Sequence, residues 1–431
     1  MSKHFTEQQT PTPVGDFADP LASGSLNDLL RQKLNQLNSA EPAVDGEQKA
    51  PTQALATQQS TENVLSWVIH NAVEEILSVP AANTPSLEGK LQRLFECLNL
   101  LYQQAEISPA LRKRQFVSQH GLIISPDHCI TTQKDTLRVR SFIRAADQAI
   151  AKLRTQFTGR LHIVYPACGP FAPLLLPLIA YYQQTGLYDE NDLRITLIDI
   201  QPGAVSSLET LIHETGIAGY IDDILCQDAC HYQAPSPVHL VVLEAMQHGF
   251  SKEGHLPMAR HFAALLADKG IMLPEEVNLK VVLAPPQQEF VEQWQEKNNR
   301  VCEAGMAQEN IRDRVELGDI LTLNLTSLRE LKEQVLDENT RLIECASVPI
   351  PALPVMERPM LLICTRITTY GREYIGEYDS GITHPLPDMH VCINFVPRDT
   401  KPGDLLVNTG DQLKFYYRLN GLPGFLATVA G

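Results

Sequence analysis

Between residues 160 and 277, short apolar runs alternate with longer stretches whose apolar residues recur at helical spacing. This alternation limits the fold more than any other feature, because strands that are joined by helices require crossover connections. Such crossovers are right-handed and produce a mostly parallel sheet. The sequence therefore predicts an α/β core, which we place at residues 156–285. Its strands are RLHIVY, RITLIDI, HLVVLEA and the start of GIMLPEEV, and its helices are PFAPLLLPLIAYYQQ, AVSSLETLIHETG and ARHFAALLADKG.

The N-terminal part of the chain divides into two regions of different composition. Residues 1–60 are rich in Gln, Ser, Thr, Ala and Pro and poor in large apolar residues, so we expect them to be mostly disordered. Within them, LNDLLRQKLNQLN has apolar residues at helical spacing, which predicts a transient helix or a docking segment. Residues 61–155 are predicted to be helical. The helical segments are NVLSWVIHNAVEEIL, GKLQRLFECLNLLYQQ and DTLRVRSFIRAADQAIAKL.

Residues 286–431 change from a mixed pattern to a strand-rich one. The mixed part contains predicted helices such as SLRELKEQVL. From Met360 onwards, MLLICTRITTY, MHVCINFV and QLKFYYRL read as strands, with Gly and Pro turns between them. This part of the sequence predicts a separate antiparallel β domain, either a barrel or a sandwich.

Charge and cysteine usage exclude several classes of protein. The net charge of −16 provides no field to attract nucleic acid, so we predict no nucleic-acid partner. The nine cysteines include no CxxC pair, which is typical of a reducing compartment. Cys226, Cys230 and His231 lie close in sequence, but no second ligand pair follows at zinc spacing, so we predict no metal site. With no signal sequence and no apolar run of 18 residues, we expect a cytoplasmic protein without a membrane span.

Two acidic residues follow strands or strand-like segments in the predicted sheet. In an open parallel sheet, ligands bind beyond the carboxyl ends of the strands. Asp199 ends the second strand, where a carboxylate can accept hydrogen bonds from both hydroxyls of a ribose. Asp228 follows the segment IDDILC, where it could accept a hydrogen bond from an adenine amino group. Either acid alone could instead cap a helix. Together they predict an adenosyl ligand.

The loop after the first strand, PACGPF, narrows the choice of ligand. A dinucleotide site needs the glycines of GxGxxG so that the backbone can approach a pyrophosphate. Here only Gly169 is present, beside Pro170 and Phe171. This argues against NAD and FAD. A nucleoside without phosphates, such as S-adenosylmethionine, fits better, and it would contact the loop at Ala167 and Gly169.

Two glutamates, Glu244 and Glu253, stand nine residues apart around a Gly-containing loop, with Met246 two residues after the first. In this spacing the chain resembles the class I S-adenosylmethionine-dependent methyltransferases, and within them the protein arginine methyltransferases. The segment DKGIMLPEE is also similar to the family's next strand. The resemblance covers about residues 125–425. The alternative is that Glu244 caps a helix and that Glu253 is a surface acid.

The resemblance implies roles for further residues. Asp135 and Arg138 fit the family's Asp-x-x-Arg, whose arginine binds the cofactor carboxylate. Thr383 and His384 fit the start of the family's Thr-His-Trp loop, where this chain has Pro385 in place of the tryptophan. The resemblance thus implies Glu244, Glu253 and His384 as catalytic residues.

The first loop also departs from the family pattern. It has Tyr165, Ala167 and Phe171 where the family has an acid and several glycines. The cofactor-binding residues that we predict on both lines of reasoning are Arg138, Ala167, Gly169, Asp199 and Asp228.

The predicted activity is methyl transfer from S-adenosylmethionine to a guanidino or amino nitrogen. A guanidinium is a planar fork of donors that two carboxylates can hold and orient. The acceptor is thus a cationic small molecule or protein, and a homodimer is a candidate assembly. Two alternatives stay open. One is an enzyme of the same fold that transfers the methyl group to another atom or uses the aminopropyl arm, and the other is a non-catalytic binding protein.

Overall fold

The computed structural model describes residues 54–79, 85–287, 289, 314–353, 356 and 358–430. The chain divides into two units, residues 1–60 and 61–431. Residues 1–53, for which we predicted disorder and a helix in LNDLLRQKLNQLN, lie outside the described residues. The first described helix, α1, spans Ala54–Ser78, so helical structure begins before Thr61, where the sequence placed it. Residues 54–60 contain Ala, Leu and Gln and neither Gly nor Pro, which favours a helix rather than the predicted disorder.

The N-terminal region is helical, as predicted, and also contains a short hairpin that was not. Helix α2 spans Pro85–Gln104, and its leucines at three- and four-residue spacing are buried. Strands β1 (Phe116–Val117) and β2 (Leu122–Ile123) pair antiparallel. The remaining helices of this region are α3 (Pro109–Arg112), α4 (Pro126–Cys129) and α5 (Thr136–Arg154).

A sheet of five parallel strands forms the centre of the molecule, and the predicted fold class is confirmed. The strand order is β5-β4-β3-β6-β7, so the chain changes direction across the sheet between β3 and β6. Ligands bind at such a switch point, beyond the carboxyl ends of the strands. The strands are β3 (Leu161–Pro166), β4 (Leu193–Asp199), β5 (Ile221–Cys226), β6 (Val238–Val242) and β7 (Leu266–Leu273). The helices between them are α6 (Leu176–Thr185), α7 (Pro202–Thr215) and α8 (His255–Leu265).

Two predicted helices of the core are shorter than the sequence suggested. The helix predicted in PFAPLLLPLIAYYQQ begins only at Leu176, because Pro170, Pro173 and the left-handed Ala172 (φ 41°) interrupt the preceding turns. Helix α8 ends at Leu265, and the ADKG that follows it belongs to β7. Here pairing with β6 prevails over the helical pattern, with a register shift that accommodates the left-handed Lys269.

The C-terminal region is built from antiparallel sheets, as predicted, and the described strands form separate sheets rather than one closed barrel. One sheet has the order β13-β12-β8-β9, with β14 also paired to β12. A second has the order β10-β11-β17-β18, and β15 and β16 form a short parallel pair. The ranges are β8 Glu276–Ala284, β9 Val315–Asn324, β10 Glu333–Asp337, β11 Thr340–Pro349, β12 Met360–Tyr370, β13 Glu373–Ile375, β14 Leu386–Asp388, β15 Val391–Ile393, β16 Leu405–Val407, β17 Gln412–Arg418 and β18 Gly424–Ala430.

Strand pairing in this region changes two sequence-based boundaries. Because β8 pairs antiparallel with β12, the antiparallel region begins at Glu276, inside the segment that the sequence placed in the α/β core. The helix predicted in SLRELKEQVL is confined to α9 (Leu325–Glu330), since the EQVL that follows forms β10 against β11. Within the described residues, no helix is long and apolar enough to cross a membrane.

Candidate functional site

A pocket lies at the carboxyl ends of β3, β4 and β5, beside the switch point of the sheet. It contains about 670 Å³ of empty space, a volume that includes space open to solvent. Its walls come from the ends of these strands, from the turn of the β1–β2 hairpin and from the loop between β6 and α8. Of the residues predicted from the sequence, it is lined by Ala167, Asp199, Asp228 and Glu253.

Asp199 is the last residue of β4 and is nearly buried, with 8% of its surface exposed. One carboxylate oxygen accepts a hydrogen bond from the backbone N–H of Gly169 and the other from that of Gln201, both at 2.8 Å. Burial raises the pKa of Asp199 to about 6, although these backbone donors favour the ionised form. Each oxygen retains a second lone pair. The side chain can therefore hold the first loop and still accept hydrogen bonds from a ligand.

The first loop adopts backbone conformations that favour glycine, although it contains one glycine only. Gly169 has φ 67°, and the flanking Ala167 and Ala172 have φ 50° and 41°. A left-handed conformation costs an alanine about 1–2 kcal/mol. At Gly169 there is room for a side chain, because a Cβ atom would lie 3.6 Å from the Cβ of Cys129, which is ordinary contact. The strain in the loop therefore comes from the left-handed backbone of Ala167 and Ala172, where glycine would be favoured.

Asp228 has the capping role that the sequence left open, and its adenine-binding role stays a prediction. Its Oδ1 accepts a hydrogen bond from the backbone N–H of Cys230 at 2.9 Å and so caps the short 3₁₀ turn Ala229–His231. Its Oδ2 lies 4.0 Å from Nε2 of His120, and both side chains line the pocket. One oxygen is thus structural, and the other faces the β1–β2 turn.

Arg138, in the first turn of α5, is enclosed between two carboxylates. Its Nε and Nη2 donate to Oδ2 of Asp135 at 3.1 and 2.8 Å, and its Nη1 donates to Oε2 of Glu244 at 3.1 Å. Burial opposes its charge, but Glu244 and Asp135 raise the pKa of the guanidinium above its ordinary value. Three of its five N–H donors are used in this way, which leaves two for a ligand.

The loop that separates Glu244 from Glu253 is a hairpin. Gln247 and Ser251 exchange two backbone hydrogen bonds of 3.3 Å, and Gly249 takes a left-handed conformation (φ 65°) in the turn. Burial, and next the charge of Glu244, raise the pKa of Glu253 to about 8. The two acids differ, because Glu244 is paired with Arg138 whereas Glu253 favours its protonated form at neutral pH.

Three other parts of the chain hold this hairpin in place. The backbone N–H of Leu122 in β2 donates to the carbonyl of Lys252 at 2.8 Å. The hydroxyl of Tyr417 in β17 donates to the carbonyl of Phe250 at 3.0 Å. The backbone N–H of Lys252 donates to the carbonyl of Pro423, just before β18, at 2.8 Å. The hairpin thus depends on contacts with segments remote in sequence.

His384 follows a 3₁₀ turn, Gly381–Thr383, and its ring packs against Tyr378 with centroids 5.4 Å apart. The same loop reaches the Arg138 region through Ser380, whose hydroxyl donates to Oδ2 of Asp135 at 2.6 Å. The structure therefore brings the loop of His384 to the residue that orients Arg138.

Sequence analysis missed Ser380 and the β1–β2 hairpin. Ser380 lies far from Asp135 in the sequence, and no local pattern marks the contact. The hairpin has a weak signal, because the turn residues Ser118 to Gly121 separate two apolar pairs, Phe116–Val117 and Leu122–Ile123.

Comparison with known proteins was made at three levels. No family model matches the chain, and no curated protein matches it. Among solved structures, it is similar to the enzyme–prozyme heterotetrameric complex of PRMT1 from Trypanosoma brucei with AdoHcy, at 13% identity and a TM-score of 0.34, over 68% of this chain and 96% of that one. It is also similar to protein arginine methyltransferase 10 of Arabidopsis thaliana, at 11% identity and a TM-score of 0.36, over 66% and 86% of the two chains.

The fold itself is established by the strand order and the antiparallel sheets described above. The α/β core and the antiparallel β region that the sequence predicted are confirmed by these sheets.

Proposed function

We propose that this chain is an S-adenosylmethionine-dependent methyltransferase that acts on a cationic nitrogen, guanidino or amino. The observation that carries the proposal is a pocket at the switch point of the sheet with two different ends. One end presents Asp199 and Asp228, which suit an adenosine. The other end is lined by Glu253. Arg138 and Glu244 do not line the pocket, but their ion pair lies close enough to act on the charge of Glu253, and the group would suit a carboxylate and a cation.

The adenosyl end has unused hydrogen-bonding capacity where a nucleoside would need it. Asp199 retains one lone pair on each oxygen for the two ribose hydroxyls. Oδ2 of Asp228 is free of the capping interaction and can accept from the adenine amino group. The two remaining donors of Arg138 can bind the carboxylate of the amino-acid part. These residues bind and orient the cofactor, which supplies a sulfonium methyl group when bound.

The acceptor end would hold a cation between two carboxylates. Glu244 is paired with Arg138, whereas burial and the charge of Glu244 raise the pKa of Glu253 to about 8. A guanidinium or ammonium beside Glu253 would favour its ionised form, because an opposite charge lowers the pKa of a carboxyl group. The two carboxylates would then fix the nitrogen in line with the methyl group. Ionised Glu253 would accept the proton that the acceptor nitrogen loses, before methyl transfer in the case of an ammonium, which has no lone pair, and with it in the case of a guanidinium.

The direct test is methyl transfer from labelled S-adenosylmethionine to a panel of acceptors. The panel contains arginine-rich peptides, free arginine, primary amines and neutral alcohols. We expect label on guanidino or amino acceptors. Label on the alcohols alone would exclude the clamp for a cation and favour transfer to another atom. Calorimetric binding of AdoHcy without any transfer would support a non-catalytic binding protein.

A further inference from the structure

Three side chains of different chemistry converge beside the proposed adenine edge of the pocket. His120 comes from the turn of the β1–β2 hairpin, and Asp228 and Cys230 come from the segment after β5. One ligand atom from each lies within 4.8 Å of the other two. Nε2 of His120 and Oδ2 of Asp228 are 4.0 Å apart.

Backbone packing holds His120 in this position. The hydroxyl of Ser118 accepts from the backbone N–H of His120 at 3.1 Å and donates to the carbonyl of Gly121 at 3.0 Å, which stabilises the turn. A Cβ atom at Gly121 would lie 2.7 Å from the backbone nitrogen of Gly254, and one at Gly254 would lie 2.8 Å from the carbonyl oxygen of His120. The turn can pack this closely because both positions are glycine.

The other two groups are held by each other. The capping hydrogen bond between Oδ1 of Asp228 and the backbone N–H of Cys230 fixes the carboxylate beside the 3₁₀ turn that carries Cys230. All three side chains are partly buried, so they are shielded from solvent without being sealed from it. Two separate segments of the chain thus present a preorganised set of ligand atoms.

We propose that His120, Asp228 and Cys230 bind Zn²⁺ or a similar transition-metal ion. Imidazole nitrogen, carboxylate oxygen and thiolate sulfur are the ligands that zinc prefers, whereas calcium and magnesium require oxygen ligands. Around a tetrahedral zinc, such atoms lie about 3.3–3.8 Å apart, as metal–ligand distances of about 2.0–2.3 Å require. Side-chain rotation closes the present separations to that value. Three protein ligands leave a fourth position for water, and the Cys230 thiol releases its proton to solvent on binding.

The chain offers two matched controls, Cys226 and His231. Both lie close to Cys230 in sequence, but the structure groups Cys230 with His120 and Asp228 instead. Cys226, at the end of β5, is exposed, and His231 is exposed on the 3₁₀ turn. Neither belongs to the group of three described above. Cys226→Ser and His231→Ala therefore remove the same chemical groups, in the same segment, without removing a ligand.

The primary experiment uses the full chain after treatment with a chelator and measures Zn²⁺ binding by calorimetry and Co²⁺ binding by absorption. We expect one equivalent of metal and a thiolate-to-cobalt charge-transfer band. Cys230→Ser should lose the band, and His120→Ala and Asp228→Asn should weaken Zn²⁺ binding by about tenfold or more. Cys226→Ser and His231→Ala should behave as the unmodified chain. The metal-free melting temperature of each variant checks that it folds.

Two results would overturn the proposal. One is the absence of Zn²⁺ binding to the unmodified chain when Zn²⁺ is supplied in excess over the protein. The other is a band that survives in Cys230→Ser and disappears in Cys226→Ser, which would place the metal elsewhere. Neither outcome depends on any methyltransferase activity.

A second experiment, which rests on the proposed function, measures AdoHcy affinity with and without saturating Zn²⁺. The metal would occupy the oxygen of Asp228 that the adenine amino group needs. The loss of one hydrogen bond should weaken AdoHcy binding by between about threefold and about tenfold in the unmodified chain and not in Cys230→Ser. If Zn²⁺ binds with no effect on AdoHcy, the metal site stands and the adenine role of Asp228 is wrong. If AdoHcy never binds, the proposed function fails and the primary experiment still decides the metal site.

Discussion

The two ends of the candidate pocket are built in different ways. The adenosyl end is formed by residues at the ends of strands of one parallel sheet. Asp199 accepts hydrogen bonds from the backbone N–H groups of Gln201, two residues away, and of Gly169, 30 residues away. The acceptor end joins α5, the Glu244–Glu253 hairpin, the β1–β2 hairpin and the C-terminal sheet through contacts between remote segments. The first end therefore follows from the topology of the sheet, whereas the second depends on how several regions pack together.

The electrostatics of the two ends also differ. Asp199 is buried but accepts hydrogen bonds from backbone N–H groups, which limits the rise in its pKa to about 6. Glu253 is partly buried beside another acid, and these two causes raise its pKa to about 8. Asp199 is thus stabilised by backbone donors, whereas at Glu253 the repulsion by Glu244 exceeds the attraction by Arg138. We expect mutations at the acceptor end to affect turnover and those at the adenosyl end to affect binding.

The largest effect is expected for the two glutamates. Glu244→Gln and Glu253→Gln keep the size of each side chain and remove the charge that orients a cationic acceptor, so turnover should fall at least about a hundredfold. AdoHcy affinity should change by no more than a few-fold, and the two losses should not be additive. Steady-state kinetics and calorimetry measure both quantities. Glu209→Gln, at an exposed position of α7, is the control. Normal turnover in both folded variants would show that the acceptor is bound elsewhere.

A smaller effect, on binding, is expected at the adenosyl end. Asp199→Ala should weaken AdoHcy binding by about 1–3 kcal/mol, the cost of leaving hydrogen-bonding groups unpaired. Because Asp199 also accepts from the backbone N–H groups of Gly169 and Gln201, the melting temperature of the ligand-free variant separates a loss of loop stability from a loss of ligand binding. Asp223→Asn, at an exposed position of β5, is the control. An unchanged dissociation constant in titration calorimetry would remove Asp199 from the site.

The docking of the β1–β2 hairpin gives a test of the packing at the acceptor end. Gly121→Ala introduces a Cβ atom 2.7 Å from the backbone of Gly254, at a residue with φ 150°. The free energy of unfolding should fall by more than about 1 kcal/mol, and turnover should fall with it. Gly89→Ala, in α2 with open space around it, should leave both unchanged or raise stability slightly. Chemical denaturation measures the free energy of unfolding. A Gly121→Ala variant that is destabilised but fully active would show that the hairpin is not part of the site.

The raised pKa of Glu253 predicts a dependence of stability on pH. Its folded value of about 8 lies above its ordinary value of 4.5. The folded chain therefore binds this proton more tightly, and the stabilisation is fully present below about pH 4.5 and lost as the pH rises through about 8. The unfolding free energy of the ligand-free chain should fall across this window, and less steeply in Glu253→Gln. Urea denaturation between about pH 5 and about pH 8.5 measures both slopes. Equal slopes would contradict the raised pKa.

The smallest effect is expected in the first loop. Ala167→Gly removes the cost of a left-handed alanine, which is offset in part by the greater freedom of glycine in the unfolded chain. The net gain in unfolding free energy should be up to about 1 kcal/mol. Ala151→Gly, at an exposed position of helix α5, should instead lose about 0.5–1 kcal/mol. A loss at both positions would mean that the loop is not strained at Ala167.

Much of the fold could be predicted because its signals are local. Short apolar runs identified β3, β4 and β6, helical spacing identified α2 and α5, and the strand–helix alternation predicted the parallel sheet. Where a helical pattern conflicted with strand pairing, the predicted helix was wrong and the segment formed a strand. The segments ADKG and EQVL continue helical patterns, yet both form strands, because β6 and β11 offer edges for pairing.

The positions of Asp199, Asp228 and Glu244 were determined by the sequence alone, because the carboxyl ends of neighbouring parallel strands must meet at one edge of the sheet. The loop between Glu244 and Glu253 could be located from local sequence, whereas contacts with remote segments hold it as a hairpin. Only the tertiary structure decided that Arg138 binds Glu244 and that Ser380 binds Asp135, which is 245 residues away. It also brought His120 to Asp228. Such contacts join segments whose relative placement depends on the packing of the whole core, and no local pattern records that placement.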